Sequence, residues 1–500
     1  MVFSSLEFIY LFLPPVLAGF LFLRWRGHEA AIIWWLVGAS IAFYAWWSVP
    51  YLLLLIGSVV VNYLLHRFLS ISKDKAVLTI GIVLNLAALA YFKYANFFIQ
   101  NYNAISGHDL ALLNIVLPLA ISFFTFQQIS FLCDTYKGQV TNCDFARYAL
   151  FVVFFPQLIA GPIVLQKDTL PQFKLKVFQG KLSTNLAVGG TLLAIGLFKK
   201  IVLADSMAPY ANLVFGAAGD AHGIPLEAAW IGALAYTFQI YFDFSGYCDM
   251  ALGLARLFGI RLPINFNSPY KARSIVDFWR RWHITLSRFL RDYLYIPLGG
   301  NQCSKQRRYL NLMLTMLLGG LWHGAAWTFV VWGLLHGLYL TINHAWSAVM
   351  KDTRLAQIIP APVKICASWG VTMIAVIIAW VFFRAESFDA AIAILHGMTG
   401  LSTALEPTLW EGLTNGSAWI WLQFLALAII AVWMPNSIEL TARYRPVIDV
   451  ARELRIKLGQ APKLWQPTPA WSLAIATIAV ISIIQMYRIG DLTEFIYFNF

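Results

Sequence analysis

The sequence predicts an all-α integral membrane protein, and three observations carry that expectation. Apolar residues, with tyrosine counted, make up 60% of the 500 residues, while Asp, Glu, Lys and Arg together make up 12%. Soluble domains carry roughly 25% charged residues, so this chain has about half the charge needed to cover a water-facing surface. Mean hydropathy is +0.68. Apolar runs of about 20 residues, the length that crosses a hydrocarbon core, recur from one end to the other. A soluble multidomain enzyme and a disordered scaffold are both excluded.

In order, the candidate spans are 6–23, 30–47, 51–68, 76–92, 111–132, 186–204, 228–250, 310–326, 328–349, 365–383, 418–433 and 469–486. With allowance for uncertain ends, about 11–13 transmembrane helices are expected. The first span lacks the basic flank and small-residue cleavage site of a signal peptide, so it is expected to be retained. No soluble domain of usable size separates the spans, and no internal repeat is visible. The chain 1–500 therefore reads as one polytopic domain, with N-terminal helices over 1–270, a chemistry-bearing region over 271–345 and C-terminal helices over 346–500.

Loop charge sets the expected orientation, since basic residues favour the cytoplasmic side. Arg24 and Arg26 follow the first span, Arg67, Lys73 and Lys75 follow the third, and residues 46–50 carry no charge. The N-terminus is thus expected outside. Segment 146–165 would push Lys167, Lys174, Lys176 and Lys181 outside if it crossed fully. A re-entrant dip avoids this, and Pro156, Gly161 and Pro162 supply the breaks. Broken backbone at membrane depth requires cover by protein or a water-filled cavity. Asp205, Asp220 and Glu227 then fall outside, and the basic stretch 271–308 falls inside.

That stretch holds Lys271, Arg273, Arg280, Arg281, Arg288, Arg291, Lys305, Arg307 and Arg308 against Asp277 and Asp292, interleaved with aromatics. At helical spacing Phe278, Trp282 and Phe289 share a side, which suggests amphipathic helices at the cytoplasmic interface. A positive-inside loop with aromatic anchors accounts for any one arginine. The density of the cluster beside a histidine points further, to a phosphate-bearing ligand.

Of nine histidines, His28, His66, His108, His222, His344 and His396 lie near span ends or in loops. His323 sits in the uncharged run Gly319-Gly320-Leu321-Trp322-His323-Gly324-Ala325-Ala326-Trp327. An ionisable group in a membrane segment is a functional-site hypothesis by default, although a histidine bonded to a neighbouring helix has the same signature. The nearby glycines would admit a substrate or another backbone. A buried neutral imidazole suits a general base. His283 lies between Arg280-Arg281-Trp282 and Ile284, and two arginines should also resist its protonation. His336 follows His323 by 13 residues. On a continuous helix that is about 220° round, so His336 reads as structural.

Asp243 and Asp249, six residues apart, share no helical face and are not an acid–base dyad. They pair with the basic stretch or serve the substrate site. Five scattered cysteines suggest neither a metal knuckle nor a disulfide framework. No P-loop, dinucleotide, zinc-protease or hydrolase-elbow motif is present. No metal, bound cofactor or nucleic-acid partner is expected.

The runs 241–250, 278–287, 290–295, Pro297-Leu298-Gly299-Gly300-Asn301 and 317–324 resemble the membrane-bound O-acyltransferases. The opening Met1-Val2-Phe3-Ser4-Ser5, the run 91–97, Leu158-Ile159-Ala160-Gly161-Pro162 and Phe382-Phe383-Arg384-Ala385-Glu386 are similar to the branch formed by bacterial alginate O-acetyltransferase membrane subunits. The resemblance covers residues 1 to about 386 in order. It implies a ring of transmembrane helices round a thinned central funnel, to which the re-entrant and interfacial helices read from charge and spacing are added. The family's invariant histidine falls on His323 and its second position on His283.

The resemblance further implies transfer of an acyl group, here acetyl, from a cytosolic thioester to an acceptor hydroxyl destined for an exported polysaccharide. Acetyl-CoA is the expected donor, with Arg280, Arg281, Arg288 and Arg291 on its phosphates. Asp292, Tyr293, Trp322 and Asp249 complete the implied substrate-binding set. His323 would take the hydroxyl proton and His283 would orient or stabilise the thioester carbonyl. An esterase-like periplasmic partner of the SGNH-hydrolase kind is expected to hand acetyl to the polymer, and the location is the bacterial inner membrane. Alginate or an alginate-like exopolysaccharide is the first acceptor. Bacterial cellulose, D-alanyl transfer to a wall polymer, and polysaccharide or lipid transport stand as alternatives.

Overall fold

In a bilayer every backbone N–H and C=O must be satisfied within the protein, which long apolar runs do by forming helices. The computed structural model describes residues 1–140, 143–220, 223–350, 353, 358–402, 407–414, 417–448, 465–489 and 495–496. Among them no β-strand forms, and six helices are long and apolar enough to span: Glu7–Arg26, Val49–Ser72, Lys75–Ser106, Leu182–Ala204, Ala361–Arg384 and Pro469–Arg488. Shorter apolar helices cover Glu29–Ala45, Phe388–Met398 and Ser417–Val432. This is a multi-pass membrane protein. Parts of the expected C-terminal region, 403–406, 415–416, 449–464, 490–494 and 497–500 among them, lie outside the described residues.

The chain divides into two units. One comprises Met1–Ile201, Gly246–Ile264 and Ser437–Asn499; the other comprises Val202–Ser245 and Asn265–Asn436. The long helix Leu226–Leu257 contributes its first part to the second unit and its last part to the first.

In the first unit the expected span 111–132 is helical only from Ile121, over Ile121–Tyr136. Pro118 denies the preceding turn a donor, and β-branched Ile115 and Val116 favour extended chain. Two asparagines satisfy the extended backbone instead. Asn96 donates to the Leu113 carbonyl at 2.9 Å and accepts the Leu113 N–H at 2.8 Å; Asn103 does the same for Leu110 at 2.9 and 3.0 Å. The re-entrant candidate begins as Phe145–Val153, nine residues, or about 13 Å, too short to cross. It breaks at Phe154, resumes over Phe155–Leu158 and leaves helical form before Gly161.

Helix Leu182–Leu197 and the last part of Leu226–Leu257 meet through glycines placed seven residues apart on each. A Cβ on Gly189 would lie 2.8 Å from the Gly253 carbonyl, and one on Gly196 would lie 2.6 Å from the Gly246 carbonyl. Lipid tails are as apolar as leucine, so membrane helices gain by close backbone approach, which small residues permit. Beside the second pair a buried ion pair forms: Lys199 Nζ lies 2.6 Å from Asp249 Oδ2, and Ser437 donates to Asp249 Oδ1 at 2.7 Å.

The second unit is built on the hairpin of Lys305–His323 and Trp327–Met350, against which Ala361–Arg384 packs. Here too glycines set the spacing. A Cβ on Gly320 would lie 2.3 Å from the Phe329 carbonyl, and one on Gly333 would lie 2.4 Å from the Met316 carbonyl. The chain therefore turns over 324–326, and the continuous helix assumed between His323 and His336 does not exist.

Neighbouring glycines provide a matched test of this packing. Gly189→Ala is expected to cost about 1–3 kcal/mol as an overpacked contact, while Gly190→Ala, with nothing within 4 Å of its Cβ, stays within about 0.5 kcal/mol of wild type. Thermal unfolding of the two purified variants in one detergent checks the difference.

Candidate active site

His323 is the last residue of helix Lys305–His323, and the chain leaves helical form at Gly324, φ −161°, ψ 152°. Its ring is walled by aromatic rings from four places in the second unit. Ring centroids lie 5.0 Å from Trp322, 5.0 Å from Trp332, 5.1 Å from Phe383 and 6.4 Å from His283. His323 is 2% exposed and His283 is fully buried. His323 stands at the C-terminal end of its helix, the end that favours positive charge. The glycines on either side of it receive protein rather than open space. Gly320 faces the partner helix, and a Cβ on Gly324 would meet the Phe329 ring at 2.1 Å.

His283 is held in a different way. Helix Ile275–Trp279 opens with Ser274 accepting the Asp277 N–H at 3.1 Å. The chain then reverses, and His283 adopts left-handed backbone, φ 42° and ψ 52°, before helix Ile284–Leu290 starts. That conformation is strained for a residue with a Cβ. Asn265 enforces it. The Asn265 carbonyl accepts the Ile284 N–H at 3.0 Å. Its side-chain oxygen accepts the Thr285 N–H at 3.3 Å and the Thr285 hydroxyl at 2.8 Å, and lies 3.1 Å from His283 Nδ1. The break means that Phe278 and Trp282 stack, centroids 5.7 Å apart, while Phe289 turns elsewhere to pack on Tyr293 at 5.0 Å. The shared face expected for all three does not extend past His283.

The same oxygen sets the tautomer. An amide oxygen that accepts a backbone N–H has no proton to offer, so Nδ1 of His283 must be the donor. The neutral ring then carries its lone pair on Nε2. Burial pushes this imidazole down to about 3, which keeps it neutral at ordinary pH. His336 is the reverse case. Trp279 donates its indole N–H to His336 Nδ1 at 3.2 Å, and Trp332 and Trp279 pack on the ring at 4.8 and 5.1 Å.

The basic stretch does not act as one patch. Arg281 is tied to Asp277 at 2.9 Å and to the Asn267 carbonyl at 3.2 Å, so it braces the reversal before His283. Arg280 is exposed and Arg288 half-buried. Arg291 pairs with Asp292 at 2.7 Å and lines a 350 Å³ cavity together with Arg308, Tyr295, Asn301 and Trp279. Met316 also lines it, and seven residues on, on the same helical face, stands His323. Asp249 belongs to the first unit, where it pairs with Lys199 rather than with any arginine of the stretch. Asp243 is buried in the second unit. Sequence reasoning missed Asn265, Thr285, Arg308, Trp332 and Phe383 as parts of this site. Asn265 and Asn267 between Pro263 and Pro269 were the available signal: amides in an apolar chain where prolines forbid regular helix.

Two buried imidazoles in an aromatic cage and a cation-lined cavity stand on a helical membrane scaffold, and it is the comparison with known proteins that defines the class. The chain belongs to the membrane-bound O-acyltransferase family, whose model matches residues 41–383, and it is an O-acyltransferase. It is 45% identical to the peptidoglycan O-acetyltransferase of Helicobacter pylori, over 80% of each chain. It is 42% identical to the probable alginate O-acetylase AlgI of Pseudomonas aeruginosa, over 81% of this chain and 76% of that one. Similarity to the teichoic acid D-alanyltransferase of Streptococcus thermophilus is 29% over 49% of this chain and 62% of that one. Membership decides the choice between enzyme and transporter for the enzyme.

Asn265→Ala is expected to lower stability by about 1–3 kcal/mol, because it strands buried donors of His283 and Thr285; a melting-temperature comparison checks this. The His283 ring also predicts an acid limb. An unfolded histidine protonates near pH 6.5, whereas the folded ring resists down to about 3. Its contribution is therefore complete above about pH 6.5 and lost as pH falls toward 3. His283→Asn should flatten that limb in melting curves taken between pH 4 and 7.5.

Proposed function

We propose that this protein transfers acetyl from a cytosolic thioester, acetyl-CoA, to a hydroxyl bound for an exported polysaccharide, in the bacterial inner membrane. The observation that carries the proposal is the His283–His323 pair, buried in an aromatic cage, with His323 on a helix whose Arg308 and Met316 line a cavity with Arg291. The phosphates of the donor suit Arg291 and Arg308, as charge-assisted contacts, and the thioester end then reaches toward His323. Of the four arginines first expected there, Arg281 is committed to bracing the fold and leaves the donor set.

In the reaction the acceptor oxygen attacks the thioester carbonyl carbon while His323 takes its proton. The C–S bond breaks as the tetrahedral intermediate collapses, and the proton passes from His323 to the departing sulfur. Holding both reactants in one dry site supplies the positioning part of the rate. The tautomer revises the role first expected for His283. With Nδ1–H committed to Asn265, neutral His283 has no proton to donate to a carbonyl. Its Nε2 lone pair suits an N–H donor on the thioester's arm, so His283 positions the donor rather than polarising it.

The acceptor is alginate or an alginate-like exopolysaccharide, reached through a periplasmic esterase-like partner. The similarity to alginate O-acetylases supports that polymer. A second acceptor, peptidoglycan, is favoured by the 45% identity to the Helicobacter pylori enzyme. Acetyl content of secreted polysaccharide and of cell wall, measured in wild type and a deletion strain, separates them: the polymer that loses acetyl is the acceptor.

His323→Ala should lower acetyl transfer by about 10²–10⁴-fold, the usual worth of a general base, at unchanged protein level. His283→Ala should mainly raise KM for acetyl-CoA, and a collapse of kcat equal to that of His323→Ala would refute its positioning role. Arg291→Gln/Arg308→Gln should raise donor KM by roughly tenfold or more with kcat little changed, as removal of uniform binding does.

A further inference from the structure

A second cavity, of 580 Å³, lies wholly within the first unit and has no place in the acyl transfer described above. Its wall carries Lys176, Lys181, Arg256, Arg261, Arg443 and Arg445, and no carboxylate among the described residues. These cations come from three separate parts of the chain: the loop before helix Leu182–Leu197, the end of helix Leu226–Leu257 with the turn after it, and the segment around 443–445. Convergence of this kind is a property of the fold, since nothing in sequence spacing links position 176 to position 445.

The cavity has a floor and a rim. Lys176, Lys181, Arg443 and Arg445 are exposed and form the rim. Arg256, 5% exposed, forms part of the floor. The Arg256 Nε is buried with no hydrogen-bond partner among the described residues. That nitrogen lacks an acceptor, and a buried donor of a charged group left unmet is costly. Five further cations line the cavity with it, and the other polar side chains there, Gln172, Thr184, Asn185 and Tyr444, are neutral, so no anionic side chain balances its charge. Arg445 meanwhile holds left-handed backbone, φ 46°, fixed by its N–H donating to the Ala442 carbonyl at 3.0 Å. Strain in a non-glycine residue at the mouth of a cavity is a cost the surroundings maintain.

We propose that this cavity binds a phosphate-bearing anion, from an anionic phospholipid headgroup or from a soluble phosphate ester. Phosphate oxygens accept several guanidinium N–H groups at once, which a single carboxylate cannot do for so many cations. The volume exceeds that of one phosphate group. By the loop-charge orientation, Lys176 and Lys181 face the cytoplasm, where anionic headgroups and soluble phosphoanions both occur and where basic pockets between membrane helices collect them. The ligand supplies the acceptor that Arg256 lacks and neutralises the repulsion across the rim.

Full-length protein purified in neutral detergent provides the test, read as binding and melting temperature with no measurement of acetyl transfer, so its failure leaves the acyltransferase proposal untouched. One arm titrates inorganic pyrophosphate; the other compares nanodiscs of phosphatidylglycerol with nanodiscs of phosphatidylcholine, with retained lipid read by native mass spectrometry. A saturable rise in melting temperature with pyrophosphate that the Arg291→Gln/Arg308→Gln variant keeps assigns a soluble ligand. Retention of phosphatidylglycerol over phosphatidylcholine without a pyrophosphate response assigns a lipid, and either result supports the site. Arg256→Gln should weaken binding by about tenfold or more, the worth of about one charge-assisted bond. The exposed pair Arg443→Gln/Arg445→Gln should do the same, and it decides the matter if the floor variant fails to fold. No response from wild type in either arm, or undiminished binding in the rim variant, overturns the proposal.

Discussion

The side-chain oxygen of Asn265 is the atom on which the site depends. It meets three donors within one turn of chain, and the backbone carbonyl of the same residue takes a fourth. A helix start leaves its first N–H groups without partners, and Asn265 satisfies those of Ile284 and Thr285 from a distant part of the sequence. Because these bonds need the chain to reverse at His283, they hold that residue in left-handed backbone it would otherwise leave. The same contact fixes the proton on Nδ1. One amide thus decides where the ring sits, which way it points and which nitrogen is basic.

Close helix approach is the second constraint. Where two glycines face each other, as at Gly189 with Gly253 and at Gly320 with Gly333, backbones come together without side chains between them. In the second unit the hairpin closed in this way carries both His323 and Trp332, and Phe383 from helix Ala361–Arg384 adds a further ring against the imidazole. In the first unit close approach sets the environment of Lys199 and Asp249, whose mutual attraction offsets the cost of burying both charges.

Charge is partitioned by use. Arg281 braces the reversal at His283. Arg291 and Arg308 border a cavity on the face of the helix that ends at His323. A further set, from Lys176 to Arg445, surrounds another cavity in the first unit. A basic excess of 36 over 24 residues therefore does more than report orientation.

The helical membrane class was legible without coordinates, because an apolar run of spanning length has one way to satisfy its backbone in lipid. So were the helix break near Pro156 and the burial of His323, since a titratable group in an uncharged aromatic run stands out in one dimension. The limits of local pattern show in 111–132, where asparagines at 96 and 103 replace helix bonds with side-chain ones. They show again in Arg281 and Asp249, whose charges find partners that spacing does not reveal. Hydrophobic period and composition are sums over neighbours in sequence, and they determined that the chain is a helical membrane protein. Which amide caps which turn, which ring covers His323 and which cations share a cavity depend on residues brought together from far along the chain, and those were decided only when the helices packed.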